Sequence, residues 1–461
     1  MKIEPIPSNR EPSSFRDPSG FIFFHEGKLL RQINRVYQKD FEQLLQSGLY
    51  EKLVNDGLLI SHQIVGEPAP KPSVVFRVIE PERIPFISYP YEWTFSQLKS
   101  AALLTLRIQS LALQHAMTLK DCSAYNVQFI GVEPIFIDTL SFERYQDGQP
   151  WIAYRQFCQH FLGPLLLARY NDTRLVKLLQ THLDGIPLDL ISRLLPKRSW
   201  LLLTPLLHLH MHALSQKHYG RTGKRPRPNL SQKSQLALLD NLESFIRRCQ
   251  PSLQDSTWSN YYNQSNYSAT GFAEKKKVVA QILNQITAKN VCDFGGNQGI
   301  FSRIAAENGA YTVSVDSDAA AVEQNFVTCP PALRRQLLPL VIDITNPSPA
   351  LGWRHEERKS FLDRLNCDTA LALAIIHHLT IAGNLSFLSM ADFFANVCNH
   401  LIIEFIPAHD SNAQRLLAAQ PHAAAGYNVK AFEAAFLTRF NIIQRHQISD
   451  NTRSLYVMKH R

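Results

Sequence analysis

The stretch from Asn290 to Asp316 constrains this chain more than any other. Asn290-Val-Cys-Asp-Phe294 is a short apolar run that ends at Gly295-Gly-Asn-Gln-Gly299. Ile300 to Asn308 has the apolar spacing of a helix, and Thr312-Val-Ser-Val-Asp316 is a second apolar run closed by an acid. Strand, glycine turn, helix, strand and acid form the opening of a doubly wound α/β sheet. Glycines let backbone approach a ligand closely and take positive φ. The free N–H groups at the helix start face the same crevice. An acid at the end of the second strand can accept both hydroxyl hydrogens of a ribose.

The following residues continue the pattern. Leu338-Pro-Leu-Val-Ile-Asp343 predicts a third strand ending in an acid, and Cys367 to His377 a fourth, wholly apolar strand running into His377-His378. His400-Leu-Ile-Ile-Glu404-Phe-Ile-Pro407 predicts a fifth. Asn441–Ile448 and Arg453–Met458 supply a closing antiparallel pair, and Lys275–Ile286 has helical spacing ahead of the first strand.

The glycines read GGxxG, which is not the GxGxxG of dinucleotide enzymes. Asp293-Phe-Gly295-Gly296-Asn297-Gln-Gly299 instead resembles the acid-x-GxGxG motif of class I S-adenosylmethionine (SAM) methyltransferases. Asn297 stands where the middle glycine usually is, and Asn is the non-glycine residue that best tolerates left-handed backbone. The resemblance covers about 190 residues in order and spacing. It implies Asp293 near the methionine end of the cofactor, the turn of Gly295, Gly296, Asn297 and Gly299 beneath it, and Asp316 on the ribose. Asp343 would bind the adenine amino group. Ile376-His377-His378-Leu379 is similar to the fourth-strand motif of small-molecule methyltransferases, where a His-containing turn closes over the cofactor. One of the pair also suits a general base for a hydroxyl or amine acceptor. The residues leave other readings open. Asp293 and Asp316 can cap helices or pair with Lys275–Lys277, and Glu404 at the same mouth can bind acceptor or lie exposed.

The N-terminal half reads as α+β. Gly20–Ile33 is a hairpin, Phe41–Val54 an amphipathic helix, and Leu58–Val65, Val74–Ile79 and Ile84–Ser88 are strands. Thr94–Met117 has helical period. Then comes Leu119-Lys-Asp121-Cys-Ser-Ala-Tyr-Asn126, followed by Pro134-Ile-Phe-Ile-Asp138. This resembles the catalytic loop and metal-binding strand of the protein-kinase-like fold. The resemblance implies Asp121 as base, with Asn126 and Asp138 holding Mg²⁺ on ATP. The departures are a missing Gly-rich loop, Arg31 or Arg77 in place of the strand lysine, Leu119-Lys120 before Asp121, and Thr-Leu-Ser after Asp138. His208 and His212 are spaced to share a helix face, either as metal ligands or as packed histidines.

Composition sets the bounds. At 461 residues, with 45% hydrophobic and 19% charged, the chain holds several domains with full cores. No apolar run is long enough to span a membrane, and the polar, Pro-rich start is no signal peptide. The seven cysteines are scattered without a CxxC pair, which predicts a reducing, cytoplasmic setting. The net charge of +9 is local: residues 216–249 hold eight Lys/Arg against Asp240 and Glu243. That stretch reads as a solvated linker or an anion-binding segment, nucleic acid being the less favoured partner. The expected domains are 1–215, a connector at 216–270, and 271–461.

The whole chain is similar to bacterial NoeA-related, nodulation-protein-like methyltransferases. The similarity rests on Asp17-Pro-Ser-Gly-Phe, Ser88-Tyr-Pro-Tyr-Glu-Trp93, Asp121–Asn126, Phe136–Phe142, Gln156–His160 and Ile376–Leu379. The resulting expectation is a SAM-dependent methyltransferase acting on an O or N nucleophile of an unidentified acceptor, with a kinase-like domain in front. The alternatives are a bifunctional phosphotransferase and methyltransferase using Mg·ATP, an RNA methyltransferase using 216–249, and a non-catalytic scaffold.

Overall fold

The computed structural model describes residues 9–214, 230–251, 267–420, 422, 426–449 and 452–461. Residues 215–229, part of the predicted basic linker, and residues 252–266 of the expected connector lie outside them. The chain divides into two units. Unit 1 is Met1–Phe129, Pro134–Ser252 and Ala350–Lys359; unit 2 is Ile130–Glu133, Leu253–Pro349 and Ser360–Arg461. The helix Gln232–Arg248, expected in a connector, is part of unit 1. Its apolar face buries Leu239, Leu242 and Ile246, and Lys99 Nζ donates to the carbonyls of Arg247 and Cys249 at its end.

Unit 1 begins with β1 (Gly20–His25) and β2 (Lys28–Asn34), then β3 (His62–Val65) and β4 (Val75–Pro81), in an antiparallel sheet of order β1-β2-β4-β3. The single helix expected between β2 and β3 is two, Gln38–Gln46 and Leu49–Asn55, because Gly48 takes φ 74° between them. Ile84–Ser88 is not a strand. Its Ser88 bonds the side chain of Gln128 through both backbone groups, at 2.9 and 3.0 Å, so a side-chain amide replaces the neighbouring strand. The helix Phe95–Gln114 starts at a capping box in which Thr94 accepts from the Gln97 N–H, and it buries twelve of its residues. Beyond it lie β5 (Met117–Leu119), β6 (Val127–Ile130), β7 (Glu133–Phe136) and β8 (Phe142–Arg144), with β5 pairing β8 and β6 pairing β7.

Unit 2 is the doubly wound body. Its strands are β9 (Asn290–Phe294), β10 (Tyr311–Asp316), β11 (Leu337–Val341), β12 (Thr369–Ala372), β13 (His400–Phe405), β14 (Phe440–Gln447) and β15 (Ser454–His460). They form one seven-stranded sheet in the order β11-β10-β9-β12-β13-β15-β14. The first five are parallel, and β15 and β14 close the edge antiparallel. Val291, Leu371 and Ile402 project from adjacent strands onto Val279, Ile282 and Leu283 of the helix Ala269–Ile286, so the sheet is buried on that face. Strand order reverses between β9 and β12, and the carboxyl ends of those strands form the crevice where such sheets bind ligands.

Candidate functional site

A cavity of about 410 Å³ opens at that crevice, within the range of roughly 300–1,000 Å³ that suits small ligands. Its floor is the glycine turn. Gly295, Asn297 and Gly299 have φ of 75°, 49° and 80°. The asparagine holds this geometry with its own side chain: Oδ1 accepts from the Gln298 N–H at 2.9 Å, while the Asn297 N–H donates to Asp316 Oδ2 at 3.0 Å. Gly296 and Gly299 are glycines for a second reason. A Cβ there would lie 2.3 Å from Ser314 Oγ and 2.1 Å from Asn325 Oδ1. Asn297→Val is expected to cost about 1–2 kcal/mol of stability, and Asn297→Gly to cost less, since glycine takes this φ freely and gives up only the Oδ1 acceptor, as read from urea midpoints.

Three acids border the cavity. Asp293 is buried, and its carboxyl is pushed up to about 6, chiefly by burial. Ser302 Oγ donates to it at 2.6 Å, at the end of a chain of polar contacts through Ser314 and Asn325. Asp316 accepts from the N–H groups of Asn297 and Asp318, and burial raises its carboxyl despite them. Asp343 is half-buried and accepts from the Thr345 N–H and hydroxyl at 2.8 and 2.7 Å.

One wall carries charge of a kind the sequence pattern did not indicate. Tyr267, Lys275 and Arg453 border the cavity, and the carboxylates of Glu404 and Asp410 stand behind them. Lys275 Nζ lies 2.8 Å from Glu404 Oε2, Arg453 Nε lies 2.8 Å from Asp410 Oδ2, and the Tyr267 hydroxyl donates to Glu404. The Tyr267 ring packs against both cations, 4.9 Å from the Lys275 ammonium and 5.1 Å from the Arg453 guanidinium. Burial opposes the Glu404 charge, but Lys275 and Arg453 outweigh it and hold the carboxyl below its usual range. Glu404 is thus neither exposed nor at the mouth: it is fully buried.

The histidine pair divides. His378 borders the cavity, whereas His377 is fully buried and is not among the cavity residues. Neither ring nitrogen of His377 has a hydrogen-bond partner among the described residues, and burial pulls its pKa well below the usual value. His378 lies with its ring 4.1 Å from that of His377 and is lowered by burial and by Arg453. Of the two histidines, only His378 borders the cavity. Beside it Ala374, with φ 55°, ends β12 earlier than the apolar run suggested. A non-glycine residue held there marks strain at the cavity wall.

In unit 1, Asp121, Asn126 and Asp138 do meet, but as a set satisfied by protein groups. Asp138 Oδ1 lies 2.5 Å from Arg31 Nη1, and Oδ2 accepts from Ser141 Oγ. Burial works against its charge, and Arg31 together with hydrogen bonds from Ser141 and the Leu140 N–H outweighs it. Asp121 accepts from the Ser123 N–H and from Gln156 at 2.9 and 2.8 Å, and its carboxyl is raised by burial and by Asp138. Asn126 presents its NH₂ to Ser141 Oγ at 3.1 Å. The Arg31 guanidinium already neutralises Asp138, so these residues as arranged are satisfied without a metal. No group of three or more His, Cys, Asp or Glu suited to a metal occurs among the described residues. The histidine run is packed instead: His208 Nδ1 bonds the Tyr154 hydroxyl at 2.5 Å, and His212 stacks on the Tyr154 ring.

No model of a known protein family matches the chain. Among solved structures, the chain shows similarity to the N-methyltransferase NodS from Bradyrhizobium japonicum WM9 and to the magnesium protoporphyrin IX methyltransferase ChlM from Synechocystis PCC 6803. The NodS alignment has 12% identity, a TM-score of 0.31, and covers 42% of this chain and 98% of NodS. The ChlM structure, with bound SAH, aligns at 16% identity with a TM-score of 0.32, over 41% of this chain and 84% of ChlM. The nodulation protein NoeA of Rhizobium meliloti (strain 1021) is 33% identical over 462 residues, spanning 98% of this chain and 96% of NoeA. That similarity runs through both units, and the chain belongs to the family of the nodulation protein NoeA.

Proposed function

We propose that the protein is a SAM-dependent methyltransferase whose acceptor presents an oxygen or nitrogen nucleophile. The observation that carries this reading is the convergence of the glycine turn, Asp316 and Asp343 on one cavity at the switch point of the sheet. The residues present suit the cofactor. Asp316 would hold the ribose hydroxyls and Asp343 the adenine amino group. Asp293 would face the cationic methionyl end, and Lys275 and Arg453 its carboxylate. When bound, SAM would supply an electrophilic methyl group on a sulfonium, with S-adenosylhomocysteine as the leaving group. The chain's own task is to position the acceptor and exclude water. His378, kept neutral by its surroundings, would take the acceptor proton.

The direct test is calorimetric titration of SAM into the full-length protein, followed by transfer of labelled methyl groups into cell extracts. Absence of SAM binding to the wild type would sink the reading. Titration of Asp293 supplies a second test. In the empty protein its carboxyl is protonated below about pH 6. A cationic ligand favours the ionised form, so affinity should fall as pH drops through that value. The expected loss is about tenfold from pH 7 to pH 5, and Asp293→Asn should flatten the curve.

For unit 1 we infer a kinase-like fold that holds or selects the acceptor without phosphoryl transfer. The loop 121–126 flanked by the β5–β8 pair supports that reading, and the Arg31–Asp138 ion pair speaks against catalysis. Mg·ATP is expected to leave the thermal midpoint unchanged. A rise of several degrees would revive the phosphotransferase alternative.

A further inference from the structure

Unit 1 carries an apolar surface that the methyltransferase reading does not use. Eight of the twenty-two exposed large apolar side chains among the described residues fall within 194–214. The densest part is Trp200-Leu201-Leu202-Leu203, four consecutive residues that are 38%, 88%, 39% and 65% exposed. Leu207 and Met211 continue the surface at 46% and 51%. Soluble proteins rarely expose contiguous apolar area of this kind without a use for it.

The apex is built to stay outward. The Trp200 ring stacks on His210, with centroids 4.1 Å apart and planes 11° apart. His210 is clamped in turn by Ser192 Oγ at Nδ1 and Ser199 Oγ at Nε2, at 2.7 and 2.8 Å. Exposed Lys197 and Arg198 stand immediately before the apex. The sequence around it is one-sided in charge: residues 190–239 contain nine Lys/Arg and no Asp or Glu.

We propose that this surface docks peripherally on an anionic lipid bilayer, with Trp200–Leu203 entering the headgroup region and Lys197 and Arg198 meeting lipid phosphates. A tryptophan and leucines beside basic residues form the pattern of an interfacial anchor. Each basic group near a charged leaflet adds to the attraction, which salt screens. The chemistry disfavours two other occupants. Leucines as exposed as Leu201 and Leu203 add nothing to binding a nucleic acid through its phosphates. A two-fold contact with a second copy would set this acid-free segment against itself.

The test is co-sedimentation of the full-length protein with vesicles of phosphatidylcholine alone and of phosphatidylcholine with phosphatidylglycerol. Binding is expected only to the anionic vesicles and should weaken as NaCl is raised. Leu201→Ser with Leu203→Ser should lower the partition coefficient roughly tenfold or more. Lys197→Glu with Arg198→Glu should do the same, and both variants should keep the wild-type thermal midpoint. Equal binding to neutral vesicles, or no binding to either, would overturn the proposal. So would variants that bind like the wild type, or a concentration-dependent dimer that the leucine substitutions dissolve. RNA binding that survives the leucine substitutions, without vesicle binding, would assign the basic segment to nucleic acid instead.

Discussion

Glu404→Gln is expected to destabilise the protein by about 3–5 kcal/mol, the cost of leaving a buried charge without its partner. Glu404 is fully buried, pairs with Lys275 at 2.8 Å and accepts from Tyr267. Removing its charge leaves the Lys275 ammonium, itself almost wholly buried, without its carboxylate, and deprives Arg453 of a second anion. Lys275 already has its pKa lowered by burial, with Glu404 opposing that shift. Its pKa is therefore expected to fall further in the variant. The double replacement Lys275→Met with Glu404→Leu separates stability from function. It removes both charges together and should recover most of the loss in a urea melt. SAM affinity should stay low, because the cation on the cavity wall is gone. If Glu404→Gln unfolds at the wild-type urea midpoint, the pair is not the buried, mutually dependent unit described above.

Asp316→Ala is expected to weaken SAM binding by roughly two orders of magnitude, since hydrogen bonds to a charged group are worth about 1.5–3 kcal/mol each. Two effects combine. The carboxylate that would hold the ribose is lost, and so is the acceptor for the N–H groups of Asn297 and Asp318. Those N–H groups belong to the glycine turn and to the start of the next helix, so both would relax. Asp316→Asn keeps one acceptor oxygen and should fall between the wild type and Asp316→Ala. Calorimetry at fixed pH reads all three. Equal affinity in the wild type and Asp316→Ala would remove Asp316 from the cofactor site.

Much of the cavity was legible because its parts are local. The glycine turn is five residues long, and its backbone demands are written at the positions that meet them. Asn297 reads as a left-handed residue because few other side chains tolerate that conformation, and it has φ 49°. Five strands of unit 2 reveal themselves by apolar runs of the right length, each closed by a glycine turn, an acid, a histidine pair or a proline. Unit 1 was less legible. Ile84–Ser88 has strand composition, yet its partner is the Gln128 side chain forty residues away. His377 and His378 look equivalent in sequence, yet only His378 reaches the cavity.

The sequence by itself determined the doubly wound body, the succession of its first five strands along the chain and the turn beneath the cavity. Each of these follows from periodicity and from backbone preference over a few residues. Only the tertiary structure decided which charges meet. Lys275 and Glu404 are 129 residues apart, and nothing near either one indicates that they will be buried together. Arg31 and Asp138 are separated almost as far, and their ion pair neutralises a carboxylate that the sequence pattern offered to a metal. Helix and strand signals arise from neighbours along the chain. Burial and electrostatic pairing arise through space, so they exist only once the fold has brought distant residues together.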